Sequence, residues 1–167
     1  MDVRNLDGLK IDALITTINA MRFDAATASK PHLDEVPVVT LVGTAADLPA
    51  AIIKVNSFVS TYATHIASAA TVSTKGAHLT ADATNVVTAP TATDQSTANA
   101  RANDLKAQFN AHVASTTFHK VADAGVITAS NATNLASLQT LLLDIASKMD
   151  AHFARCTAAS FINVVPA

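Results

Sequence analysis

The ends of four amphipathic stretches recur along the chain at a spacing of about 40 to 47 residues, and this periodicity restricts the folds open to it. Asn19-Ala20-Met21, Ala63-Thr64-His65, Asn110-Ala111-His112 and Asp150-Ala151-His152 mark those ends. Thr88-Ala89 and Thr128-Ala129 share the period, as do Asp104 and Asp144. His78/Asp82 recurs as His119/Asp123. A chain with such self-similarity builds one supersecondary unit several times and buries its core between the copies. The expected fold is mainly α, with four helices from internal repeats of about 40–47 residues. The whole chain, 1–167, then forms one repeat-built domain with units near 1–43, 44–89, 90–128 and 129–167.

Apolar spacing places the helices. Ile11, Leu14, Ile18 and Met21 make a stripe over residues 6–23. Leu48, Ile52, Val55, Val59, Tyr62 and Ile66 make the second, opened by a capping-box-like Thr44-Ala45-Ala46-Asp47 and by Pro49. Ala98, Ala102, Leu105, Phe109 and His112 make the third, thin in its upper half, so that its packing must be close or its order weak. Leu138, Leu142, Ile145, Met149 and His152 make the fourth, with Ser130 as a candidate cap.

The connections are long and contain short β-branched extended runs: Val36–Val42, Val86–Thr88, Val126–Thr128 and Phe161–Val165. Extended chain covers about 3.3 Å per residue, whereas a helix rises about 1.5 Å. Each connection can therefore return along the outside of the bundle, so that consecutive helices run parallel and the extended runs meet as a small sheet or collar. An up-down bundle with long connections is the rival.

Two sets of residues carry potential chemistry. His65, His112 and His152 take the last place in three stripes, and Met21 takes it in the first. In a parallel bundle they approach one another and could hold a soft or borderline transition metal. The simpler reading, favoured by the sequence, has each imidazole closing the core and bonding an exit-loop carbonyl, with no metal and no cofactor. The second set is His78/Asp82 and His119/Asp123, with His32 and Asp34/Glu35 as a looser counterpart. A His–Asp pair can serve general base catalysis. No nucleophile elbow accompanies these pairs, and the four glycines are isolated, so no phosphate loop exists. The pairs read as polar turns, a hydrolase ranks last, and no catalytic residue is assigned.

Composition narrows the partners. Charged residues make up 14% of the chain, against about 25% in a typical soluble domain, a surface suited to being covered by other proteins. A net charge of −2 with no Lys/Arg cluster argues against nucleic acid and anionic membranes. No apolar run is long enough for membrane insertion, and the acidic N-terminal stretch reads against a secretory signal. The single cysteine, Cys156, excludes an internal disulfide framework and reads as a small buried or half-buried residue near a chain end.

The stretch LKAQFNAHVASTTFHKVADAGVITASNATNLASLQTLLLDIASKMDAHFA resembles repeats of tailed-bacteriophage virion proteins. The elements that carry the resemblance are Asn110-Ala111-His112, Ser115 through His119, Asp123, and Thr128 through Leu135. Asn134 stands where that pattern has Asp, and the likeness fades over residues 1–45. The resemblance implies a non-enzymatic structural component of a phage particle, a decoration, neck or tail-associated protein. Its partners would be other virion proteins and copies of itself. It would be made in the host cytoplasm and reside in the virion. The alternative is a metal-binding helical module using the helix-end histidines.

Overall fold

The computed structural model describes Thr17, His32 and residues 40–69, 76–78, 80–119 and 122–155. Three helices stand in this part: α1 (Leu48–Ile66), α2 (Gln95–Ala114) and α3 (Leu135–Phe153). The fold is mainly helical. The helix expected over 6–23 lies outside the described residues except for helical Thr17, as do Met21, Asp34, Glu35, Cys156 and the run 161–165.

Each helix begins on a side-chain cap that satisfies first-turn N–H groups. The Asp47 carboxylate accepts the Ala50 N–H at 2.9 Å. At α2 a reciprocal box forms, in which Asp94 accepts the Thr97 N–H at 2.8 Å and the Thr97 hydroxyl accepts the Asp94 N–H at 3.0 Å. Asn134 and Ser137 repeat that box at α3. The caps are therefore Asp47 and Asn134 rather than Thr44 and Ser130. Asn134 does the same capping work as the Asp it replaces in the repeat pattern.

All three helices pack against one another around Val55, Tyr62, Leu105, Phe109, Leu138, Leu142, Ile145 and Met149. The thin upper half of α2 is closely packed: Ala98 and Ala102 are wholly buried. A small residue there lets the neighbouring backbones come near. Gly43 does the same beside α3, where a Cβ would lie 2.6 Å from the Leu142 carbonyl oxygen.

The helices run parallel, and the connections return along the outside. From the end of α1 the chain passes back down the bundle. Asp82 N–H donates to the Ile66 carbonyl, the Tyr62 hydroxyl to Asn85, and the Asn56 amide both donates to and accepts from Ala92. The connection after α2 repeats the path through Asp123 N–H to the Val113 carbonyl, Asn110 with Ile127, and Asn103 with Ala132. The segment before α1 completes the set against α3: Leu41 N–H donates to Asp150, and Gln139 donates to the Ala45 carbonyl. The repeat thus closes head to tail around the three described helices.

The extended runs form no sheet among the described residues, where an isolated β-bridge joins Ala69 and His78. Side chains take the place of a neighbouring strand. Asp104 accepts the N–H groups of Thr88 and Ala89 at 2.7 and 2.8 Å, and Asp144 accepts those of Thr128 and Ala129 at the same distances. With their backbone donors satisfied from the helices, the runs have no need of a ladder.

Candidate metal centre

Parallel helices bring His65, His112 and His152 to one end of the bundle, and all three are buried. The sequence-derived geometry holds for these three. The connections then add three more. His32, His78 and His119 are each fully buried. Their backbone N–H groups donate to equivalent carbonyls just beyond the three helix ends: His78 to Ser68 at 2.9 Å, His119 to Ser115 at 3.3 Å and His32 to Arg155 at 3.2 Å. All six histidines of the chain therefore meet in one place.

The imidazoles sit in two triangles. His65, His112 and His152 form one, with ring centroids 5.0–5.4 Å apart. His32, His78 and His119 form the other, at 5.1–5.4 Å. Across the triangles, His32 lies 4.9 Å from His65 and 4.4 Å from His152, and His78 lies 4.7 Å from His65 and 5.0 Å from His112. His119 lies 4.6 Å from His112 and 5.1 Å from His152. Nitrogens of His32, His65, His78, His119 and His152 all lie within 4.8 Å of one another. Nε2 of His112 is 3.3 Å from Nε2 of His65, and Nε2 of His152 is 3.1 Å from Nε2 of His32.

Two buried carboxylates orient this set. His112 Nδ1 lies 2.8 Å from Asp82 Oδ2, and His152 Nδ1 lies 2.9 Å from Asp123 Oδ2. A carboxylate takes the Nδ1–H and turns the Nε2 lone pair toward the other histidines, the arrangement that second-sphere carboxylates give metal-bound imidazoles. For His152 and His112 the expected carbonyl partners are thus replaced by carboxylates 29 and 30 residues distant in sequence. Asp82 also accepts the N–H groups of Thr84 and Asn85. Burial alone would raise its carboxyl, but hydrogen bonds from His112, Asn85 and Thr84 hold it well below the ordinary carboxylate range. Arg155 pairs with the other oxygen of Asp123.

Five of the six rings are held as neutral electron-pair donors. Burial, followed by repulsion from the neighbouring imidazoles, pushes His32 down to about 3. The same causes lower His65, His78 and His152, and burial with repulsion from His112 takes His119 to about 4. At neutral pH these rings are uncharged, the state in which imidazole binds metal. Both ring nitrogens of His78 and both of His119 are buried without a hydrogen-bond partner. An imidazole N–H so placed costs about 1–3 kcal/mol, and two in one cluster is a strained arrangement for a purely structural core.

The polar turns expected at His78/Asp82 and His119/Asp123 are instead buried, and neither His pairs with the Asp four positions later. Each Asp instead serves the helix-end histidine of the following unit, and His78 and His119 turn inward. The sequence signal for these further site residues was present: His78 and His119 repeat with nearly the period of the helix ends. No protein-family model matches the chain, and neither a curated protein nor a solved structure is significantly similar to it.

Proposed function

We propose that this protein is a non-enzymatic helical module whose histidine cluster binds a transition-metal ion and locks the connections onto the helix ends. The observation that carries this reading is the pair His78 and His119, whose four buried nitrogens lack partners although they lie among four other buried imidazoles. Imidazole donors suit zinc, copper, iron and nickel, and a metal supplies each inward lone pair with an acceptor. The two orienting carboxylates, Asp82 and Asp123, support the same reading because they fix which nitrogen of His112 and His152 faces inward.

In the full reading, residues 6–23 add a fourth helix, and the module is a structural component of a phage particle that contacts other virion proteins and copies of itself. That assignment rests on the resemblance carried by residues 105–154 and on the sparse charge. Val42, Ile53, Val86 and Leu143 add exposed apolar side chains to such a surface.

Metal analysis of protein purified without chelator tests the centre. About one equivalent of metal per chain is expected. Binding at about 1,000 times Kd adds about 4 kcal/mol of stability, so chelation lowers Tm by about 10 °C. Protein that takes up no metal after incubation with Fe(II), Co(II), Ni(II) or Zn(II), with Tm unchanged, overturns the proposal.

A further inference from the structure

We infer that the centre is six-coordinate and saturated by imidazole, one ligand from each of His32, His65, His78, His112, His119 and His152, and that it holds a divalent ion of octahedral preference such as Fe(II), Co(II) or Ni(II). This deepens the metal-binding reading and rests on it. The pattern of ring separations carries it. Each imidazole lies 4.4–5.4 Å from every other ring but one. The pairs left over are His32 with His112, His65 with His119, and His78 with His152. Those are the three diagonals of an octahedron, and each joins a helix-end histidine to a connection histidine. The two triangles are opposite faces of that octahedron, stacked along the bundle axis.

The dimensions agree with coordination at its centre. An octahedron with edges of about 5.0 Å puts the ring centroids about 3.5 Å from the middle and the inner nitrogens about 2.4 Å from it, close to the ~2.0–2.1 Å of zinc–imidazole bonds. Neighbouring nitrogens on a six-coordinate ion with bonds of that length stand about 3.0 Å apart, and opposite ones about 4.2 Å apart. The measured separations are 3.1 and 3.3 Å for two neighbouring pairs, with a 4.8 Å limit across five of the ligands. The buried carboxylates of Asp82 and Asp123, the second shared with Arg155, lie against two of the six rings and offset part of the charge of a divalent ion. Structural zinc takes four ligands, which would leave two of the six converging imidazoles outside its shell, and copper(II) prefers a tetragonal field. Saturation leaves no position for water or substrate, so the ion staples the fold and performs no hydrolysis.

Cobalt(II) substitution of the metal-free full-length protein tests the coordination number. One cobalt per chain is expected, with the weak visible bands of a six-coordinate nitrogen field and an X-ray absorption shell of six nitrogens. In six single His→Ala variants, each checked by circular dichroism for retained helix, Co(II) affinity falls at least tenfold in every one. Intense four-coordinate bands, or an oxygen in the shell, with one cobalt still bound, would overturn the six-coordinate assignment while leaving the metal-binding module standing. Two of the six variants binding as tightly as the parent would do the same. Absence of any bound cobalt would remove both.

Discussion

The metal-free protein should lose its stability between pH 7.5 and pH 5.5, well before its carboxylates titrate. His32, His65, His78, His119 and His152 all have folded pKa values below the ordinary 6.5. In this pH range the unfolded chain gains protons that the folded chain refuses, so stability falls as pH falls. The contribution is fully present above pH 6.5 and is lost progressively toward each folded value. For one such histidine the loss from pH 7.5 to 5.5 is about 1.4 kcal/mol. Five together withdraw about 7 kcal/mol, a large share of the roughly 5–15 kcal/mol that holds a typical domain together. Asp82 acts in the same direction only at lower pH, because its carboxyl is held below the usual range and its contribution fades below about pH 4. The assay is urea unfolding of chelator-treated protein, followed by circular dichroism at intervals of half a pH unit. The expected gradient near pH 5.5 is about five protons, and His119→Leu should reduce it by about one. An unfolding free energy that stays level from pH 7.5 to 5.5 would refute the burial of neutral imidazoles on which the centre is built.

Asp123→Asn removes the carboxylate that orients His152, and metal affinity measured by competition with a chromophoric chelator should drop about 10- to 100-fold. Asp104→Asn, in the parent's metal-saturated state, should leave that affinity unchanged, since Asp104 holds the backbone of Thr88 and Ala89 instead. Gly43→Ala should destabilise by about 1–3 kcal/mol, read as a lower urea midpoint, because the added Cβ meets the α3 backbone at Leu142 and Leu143. Asn134→Ala should cost about 1 kcal/mol through the lost cap of α3, whereas Asn134→Asp should be close to neutral, and thermal melts distinguish the two.

Much of the fold was legible because the apolar period of a helix is local in sequence. The stripes through Val55, Leu105 and Leu142 fixed the three helices, and the common period implied that they share a direction. Ends were less legible, because Thr44 and Ser130 are as good caps in isolation as Asp47 and Asn134; the choice depends on where the returning connection meets the bundle. For the site, the end-of-stripe position identified His65, His112 and His152. In the sequence alone His78 and His119 look like turn residues, since His and Asp so often occupy solvated turns. Only the three-dimensional return of each connection carries them inward. Asp82 and Asp123 were matched with the histidines four positions earlier in sequence, yet they cross to the next helix. His32 was the hardest to place. A linear alignment assigns it to the first unit, whereas it completes the last one against α3.

That placement of His32 has a consequence for how the chain is made. His32 meets His152, 120 residues later, and donates its backbone N–H to the Arg155 carbonyl. A polypeptide leaving the ribosome N-terminus first therefore carries one corner of the centre for the whole time needed to synthesise the rest. At about 5–20 residues per second, that wait is roughly 6–24 seconds. The centre cannot assemble cotranslationally in order. On the six-ligand reading the set is complete only once His152 has been made, so every shorter chain lacks at least one ligand.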